Sequence, residues 1–335
     1  MSYTKIPAGY RSTLSMYETQ LGIGFIKRIF EDNLSGALNL RRASAPLCVD
    51  PSTGVNDDLN GVERAVTFDI KDSEKTGAIV QSLAKWKRLA LWRYGYRPGE
   101  GIYADMNAIR RDEDLDNIHS IYVDQWDWEK VITPGQRTLE YLESTVREEV
   151  KAIVATNFAL SCKFPSVTTD ISGELSVVTT QELEDRWPDK TPKEREALWV
   201  KDHPTTFLEK VGGKLRSGFP HDGRAPDYDD WELNGDLIIW HETLGIPLEI
   251  SSMGIRVDPE SLDRQLTLSG KDDRRGLEFH KLLLAGKLPL TMGGGIGQSR
   301  LCMLMLGKAH IGEVQASVWD SETERVCREA GIELL

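Results

Sequence analysis

Asp236 and Glu249 each interrupt an apolar, strand-like run, 233–240 and 247–257, at a position where alternation calls for an apolar side chain. A carboxylate in such a place needs a cation or several donors. With the Ser252 hydroxyl, the two acids form a hard oxygen set suited to Mg²⁺, which takes few protein ligands and completes its shell with phosphate oxygens and water. Ordinary ion pairing would satisfy the same acids, and spacing leaves both readings open. Arg256 follows on the second run, and Lys87 and Arg110 stand in two further charged clusters, Lys85-Trp86-Lys87-Arg88 and Arg110-Arg111-Asp112-Glu113-Asp114. The first cluster reads equally as a solvated face. In the second, the arginines could pair across strands with the acids of Asp124-Gln125-Trp126-Asp127-Trp128-Glu129. Aspartates in Arg224-Ala225-Pro226-Asp227-Tyr228-Asp229-Asp230 read as turn residues or as pocket acids.

Near the C-terminus, Gly293-Gly294-Gly295-Ile296-Gly297-Gln298-Ser299 delivers Arg300 at the start of an apolar run. The segment reads as a glycine-rich turn at the mouth of a helix. No Gly-Lys-Ser/Thr closes it as a P-loop, and Gln298 stands where a dinucleotide fingerprint needs its third glycine. Gly295 and Gly297 would let the backbone approach a phosphate or a flat ring, and Arg300 supplies a permanent planar fork of donors. Clamps and metal ligands without a nucleophile suit nucleotidyl transfer, in which positioning and charge neutralisation carry the catalysis. The residues by themselves do not name the substrate.

Elements that could hold these groups follow from periodicity. Helices are expected over 13–34, 82–94, from Leu139 onward, 190–203, 259–269, 275–285 and 298–306, and strands over 62–70, 102–110, 118–131, 233–240, 247–257 and 290–293. Residues 37–61 read as turn-rich. Strands and helices do not alternate regularly, so the expected class is α+β, a mainly antiparallel sheet flanked by helices. No linker or repeat divides the 335 residues, which points to a single catalytic domain over 1–335 with 1–12 and 320–335 peripheral.

A net charge of −12 argues against a protein held on nucleic-acid backbone. Cys48, Cys162, Cys302 and Cys327 are scattered, with no zinc spacing, as in a reduced intracellular chain. The first residues show no apolar leader core, and no run reaches membrane-spanning length. The expectation is a cytoplasmic, soluble protein without nucleic-acid or membrane partners.

Taken as motifs, Lys85-Trp-Lys-Arg, Tyr122-Val-Asp-Gln-Trp-Asp-Trp-Glu, Arg224-Ala-Pro-Asp-Tyr-Asp-Asp-Trp, Ser251-Ser-Met-Gly-Ile-Arg-Val and Gly293-Gly-Gly-Ile-Gly-Gln-Ser-Arg resemble the asparagine synthetase A family of ammonia-dependent aspartate–ammonia ligases. The resemblance spans about residues 15–320. More distantly, the chain is similar to class II aminoacyl-tRNA synthetase catalytic domains, with Pro46, 110–129 and 295–300 fitting their three motifs in order.

The resemblance implies a class II synthetase-like fold, a homodimer built on 13–34 and the Pro46 segment, and conversion of L-aspartate, ATP and ammonia to asparagine, AMP and pyrophosphate through a β-aspartyl-adenylate. It assigns Arg110 to the α-phosphate, Arg300 to the far end of ATP and Asp236 with Glu249 to Mg²⁺. Lys87 and Arg256 match a pair that holds the substrate's side-chain carboxylate in the aspartate tRNA synthetase; the expectation here is that they grip the carboxylate that does not react, the α-carboxylate. Asp57, Gln125 and Asp229 would lie near the substrate amine or the ammonia, with Ser252 beside the substrate. Gln81 departs from the family, where a histidine is expected, and Asp58 competes with Asp57 for its place. The rival readings are a synthetase paralogue and an inactive amino-acid sensor. Against the first, nearly the whole chain is used by the catalytic domain; against the second, none of the matched charged residues is missing. With Ser2 rather than cysteine after Met1, ammonia and not glutamine is the expected nitrogen donor.

Overall fold

The computed structural model describes residues 3–57, 59 and 63–335. Asp58, and Val62 where the expected strand 62–70 begins, lie outside the described residues. The helices are α1 (Met16–Leu38), α2 (Ala84–Tyr94), α3 (Leu139–Lys163), α4 (Thr180–Arg186), α5 (Pro192–Asp202), α6 (Pro259–Ser269), α7 (Glu278–Leu284), α8 (Gln298–Met305) and α9 (Ser321–Glu329). The strands are β1 (Leu40–Arg42), β2 (Cys48–Val49), β3 (Thr67–Asp69), β4 (Thr76–Ile79), β5 (Gly101–Ile109) and β6 (Tyr122–Val131), followed by β7 (Ser176–Thr179), β8 (Thr205–Glu209), β9 (Asp229–His241), β10 (Ile246–Arg256) and β11 (Thr291–Gly297).

Eight strands form one sheet in the order β1-β5-β6-β11-β10-β9-β8-β7. Its central pairings are antiparallel, and only the edge pairs β1–β5 and β7–β8 run parallel. A small sheet, β2-β4-β3, stands apart from it. This is the α+β, mainly antiparallel architecture expected from the pattern.

One face of the large sheet is covered by α1 and α3. Helix α1 starts at Ser15, whose hydroxyl accepts from the Glu18 backbone N–H while the Glu18 carboxylate accepts from that of Ser15. It ends at Asn39 in the left-handed region, and it buries Ile26, Phe30, Leu34 and Leu38 at four-residue spacing. Thr138 caps α3, which buries Leu142, Val146, Val150 and Ile153. Between these helices and the sheet lie Trp126, Trp128, Met253, Met292 and Ile296, all fully buried. Trp126 packs against Phe30 with ring centroids 4.7 Å apart.

Outside the stretch read as turns, five elements, β4, β7, β8, α4 and α9, lie where the sequence reading has none. Every residue of β8 is buried, so its Thr-Thr-Phe-Leu-Glu shows no alternation to detect. Among the described residues 63–70 of the expected strand, only Thr67–Asp69 is extended, in the small sheet. The short β1 falls inside a stretch read as turns because its pairing to β5 is supplied from 61 residues away.

The two ends of the chain pack together. Thr4 bonds Thr323 at 3.1 Å, and the Asn117 amide bonds the backbone of Lys5 in both directions, donating at 2.9 Å and accepting at 2.8 Å. His310 sits between them, fully buried, with Nδ1 accepting from the Gly312 N–H at 3.1 Å. His241 is buried likewise and accepts from the Leu244 N–H at 3.3 Å. An accepting ring nitrogen is unprotonated, and burial pushes both imidazoles down to about 4.

Because the folded pKa is depressed, the unfolded chain binds protons first as pH falls from about 6.5 toward 4, and stability is lost across that window. We expect about 2–3 kcal/mol of loss for each histidine by pH 4. His310→Asn, which keeps an acceptor, should show a correspondingly shallower pH dependence in urea unfolding. An unchanged slope in that variant would contradict the buried-neutral assignment.

Candidate active site

A cavity of about 460 Å³ opens on the face of the sheet away from α1 and α3. Period-two alternation decides what reaches it. On β6, Trp126 and Trp128 point into the helix-side core, so Gln125, Asp127 and Glu129 point to the cavity side. On β11 the same face carries Gly293, Gly295 and Gly297. A Cβ on Gly295 would stand 2.7 Å from Asp127 Oδ1 and 2.8 Å from Gln125 Oε1, and one on Gly293 would strike the Glu129 carboxylate. The glycine-rich segment is therefore a central strand and not the expected turn, and none of its glycines has positive φ. These glycines are needed for space, so that side chains of β6 and β10 can meet above them.

On β10 the alternation is broken on purpose. Glu249 pairs with Ile238 and Ser251 with Leu237, leaving Ile250 as an extra residue. Without this bulge Glu249 and Ser252 would face opposite sides; with it both line the cavity. Asp236, opposite Ser252 on β9, joins them.

The charges are buried and matched. Arg256 donates to Glu129 at 2.8 Å and also to Asp229, while its guanidinium carbon lies 5.7 Å from the Tyr228 ring centroid. Burial opposes the Glu129 charge, yet Arg256 outweighs it and holds the carboxyl below its usual range. Lys87 Nζ donates to the Gly294 carbonyl at 2.9 Å and pairs with Asp127 at 3.1 Å. Burial draws this ammonium below its ordinary value, against the pull of Asp127. Arg224 bonds Asp236 at 2.9 Å, donates to the Ser252 hydroxyl and lies 3.5 Å from Asp229. Burial raises the Asp236 carboxyl to about 6; Arg224 pulls against that and the Glu249 charge adds to it. Among the described residues no third His, Cys, Asp or Glu completes a protein-only metal cage around this acid pair.

All the residues expected at a site, Asp57, Lys87, Arg110, Gln125, Asp229, Asp236, Glu249, Ser252, Arg256, Gly295, Gly297 and Arg300, line this one cavity. Arg110 enters from the end of β5, with its Nε buried and without a hydrogen bond. Arg300 lies in the first turn of α8 and donates to the Glu249 carbonyl at 3.1 Å. Asp57 is buried and accepts from the Leu59 N–H at 3.1 Å.

Two charge readings change. The cluster 85–88 is no solvated face, since Lys85, Lys87 and Arg88 are all buried. Each has its own partner: Asp227 for Lys85 at 3.2 Å, Asp127 for Lys87, and the Val257 and Pro289 carbonyls for Arg88. Nor do Arg110 and Arg111 pair with the acids of β6. Asp124 pairs with Lys27, Asp127 with Lys87 and Glu129 with Arg256. Arg224 and Tyr228 are cavity residues that the sequence reading passed over, because the aspartates around them read as an ordinary proline turn. An arginine opening a run of three aspartates in seven residues was the available signal.

A family model described as aspartate-ammonia ligase matches residues 17–331. The chain belongs to the aspartate–ammonia ligase family. An aspartate–ammonia ligase of Lactobacillus johnsonii is 57 % identical over 332 residues, covering 98 % of this chain and 99 % of that one. One from Clostridium perfringens is 55 % identical over 331 residues, 98 % of each. Among solved structures, asparaginyl-tRNA synthetase of Entamoeba histolytica in complex with asparaginyl-adenylate superposes with a TM-score of 0.67 at 12 % identity, over 90 % of this chain and 66 % of that one. The Pyrococcus horikoshii enzyme complexed with asparaginyl-adenylate gives 0.63 at 16 % identity, over 96 % and 77 %. At that identity the synthetases establish the fold alone, so this ligase-family chain has a class II synthetase-like fold, spanning about two thirds of the length of the first synthetase.

Within this ligase-family site the Arg256–Glu129 pair is the test of buried matching. Glu129→Leu leaves a guanidinium in a dry place with one partner fewer, which should cost about 3–5 kcal/mol of unfolding free energy. A loss below 1 kcal/mol in urea denaturation would mean that Asp229 alone satisfies Arg256.

Proposed function

We propose that the chain converts L-aspartate, ATP and ammonia to L-asparagine, AMP and pyrophosphate in the cytoplasm, through a β-aspartyl-adenylate. The observation that carries the reading is the near full-length similarity, at 55–57 % identity, to relatives named aspartate–ammonia ligase. In the first step an oxygen of the β-carboxylate attacks the α-phosphorus of ATP. The bond from that phosphorus to the bridging oxygen breaks, and pyrophosphate leaves. Ammonia then attacks the acyl carbon, the carbon–oxygen bond to AMP breaks, and the new nitrogen sheds a proton.

Arg110, whose Nε has no protein acceptor, would meet the α-phosphate, and Arg300 the far phosphates, with Gly295 and Gly297 of β11 lining the same cavity. Asp236 and Glu249 would hold Mg²⁺, with Ser252 alongside; two mutually repelling carboxylates, without a third acid, His or Cys ligand among the described residues, fit an ion that completes its shell with phosphate and water. Bound there, the metal would neutralise charge on the phosphates.

Lys87 and Arg256 keep donors in reserve. The ammonium uses one N–H on Gly294 and one on Asp127, and each terminal nitrogen of Arg256 has a second N–H beyond its carboxylate bond. Those spare donors would take the α-carboxylate of aspartate, so that the β-carboxylate faces Arg110. Asp57, Gln125 and Asp229 are the acceptors available to the substrate amine and to the incoming ammonia.

Ammonia as nitrogen donor is supported by the cysteines. Cys302 and Cys327 are buried, their thiols pushed up to about 12 and about 11, and neither Cys48 nor Cys162 lines the cavity. A two-fold dimer through α1 and the Pro46 segment is supported by Tyr17, Leu21 and Leu47, apolar groups left at the surface of those two segments. A monomeric mass in solution at full activity would count against it.

The direct test is product analysis. Aspartate with ammonium should release AMP and pyrophosphate, not ADP and phosphate, in the absence of tRNA; glutamine should not replace ammonium. Lys87→Met should lower kcat/KM for aspartate by roughly 10- to 100-fold with little change in the KM for ATP. Wild type should prefer aspartate strongly over its α-amide, and Lys87→Met should not; equal discrimination by both proteins would mean that Lys87 grips something else. Glu249→Gln should abolish aspartate-dependent pyrophosphate exchange with the fold intact, and unchanged exchange would remove Glu249 from the metal site.

A further inference from the structure

On the far side of the sheet from the cavity, α3 presents Glu149 to the undersides of β6 and β10. Glu149 is wholly buried, and neither carboxylate oxygen completes a hydrogen bond of good geometry. Buried acids are expensive and are retained where they do something. No ion pair explains this one: burial pushes its carboxyl up to about 7, Ser251 and Trp128 pull it partway back, and no neighbouring charge contributes. Ser251 Oγ and Trp128 Nε1 are themselves buried without other partners. Three polar groups from three elements thus meet in an otherwise apolar layer.

Their position relative to the cavity gives the cluster its meaning. Trp128 is paired with Gly294, and its Nε1 lies 3.1 Å from where a Cβ on Gly294 would stand. Gly294 is the residue whose carbonyl accepts from Lys87 Nζ at 2.9 Å on the other side. Ser251 precedes Ser252, which lines the cavity. We propose that Glu149 is a positioning residue for aspartate activation: from beneath the sheet it holds Trp128 and Ser251, and through Trp128 and Gly294 it sets where the Lys87 ammonium stands. As a neutral acid it has what the cluster needs, a carbonyl oxygen to accept from the indole N–H and an O–H to donate to the Ser251 oxygen. The inference rests on the proposed ligase reaction for its kinetic readout, and on protonation for an independent one.

Steady-state kinetics of Glu149→Gln and Glu149→Leu test it. The amide keeps one acceptor and one donor in the same place, so Glu149→Gln should stay within about twofold of wild type. Leucine fills the space but holds nothing, so Glu149→Leu should lose at least tenfold in kcat/KM for aspartate, with the KM for ATP changed less than twofold and the thermal midpoint not lowered. Infrared difference spectra between wild type and Glu149→Gln at pH 6 should show the loss of one protonated-carboxyl band without any substrate. The proposal is overturned if the leucine variant keeps wild-type kinetics, if it loses aspartate and ATP affinity equally, if a folded glutamine variant fails like leucine, or if no carboxyl band is lost. A wild-type protein that makes no AMP from aspartate and ammonium would overturn the ligase reading, whereas the infrared result would still decide the state of Glu149.

Discussion

Arg256 carries a permanent charge into the floor of the cavity, where it is 3 % exposed, and the arrangement of the central strands follows from keeping it matched. Glu129 comes from β6, Asp229 from the start of β9 and the arginine itself from β10, so one buried guanidinium ties three strands across β11. Removing water from such a group is costly unless every side of it finds a partner. The carboxylates sit where they do because β11 presents no side chain in their way: Gly293 lies directly beneath the Glu129–Arg256 contact. The glycines and the ion pair are therefore one device. A methyl group on Gly293 would push the pair apart, and one on Gly295 would strike Asp127 and Gln125 beside it.

The same sheet separates two kinds of chemistry. Its helix side is apolar, with Trp126 and Trp128 packed under α1 and α3. Its open side concentrates charge, and the lining is acid-rich before any substrate arrives, with ten carboxylates to six lysines and arginines. An excess of carboxylates is poor for binding nucleotide alone and would suit the proposed reading, in which the pocket also takes a divalent cation and an amine. Arg224 illustrates the balance. Lying against Asp236, Ser252 and Asp229, it supplies positive charge at the acids that a metal would otherwise neutralise.

Much of this was legible beforehand. Helices α1, α2, α3 and α6 declare themselves through apolar periodicity, and Asp236 and Glu249 stand out because an acid in an apolar run is expensive. Family resemblance gathers Arg110, Lys87, Arg256 and Arg300 into one expectation, and the fold brings all four to one cavity. The misreadings share a cause. Lys85, Lys87 and Arg88 look like a solvated face because consecutive cations on a helix usually are one, and only partners 40 to 200 residues away make their burial tolerable.

What the chain's own sequence determined was the set of elements with local signals and the inventory of charged groups from which the proposed phosphate clamps and metal ligands are drawn. Those properties depend on neighbours three or four residues away and on side-chain type. What only the tertiary structure decided was which acid meets which base. The glycine-rich run shows why. As a string it reads as a turn, because glycine is the residue turns most often require. In the fold it is the central strand, since Asp127, Gln125 and Glu129 from one side and Arg256 from the other need the space a side chain would fill. Steric demand from strands far away in sequence leaves no mark on local spacing, so it becomes visible only once the strands are side by side.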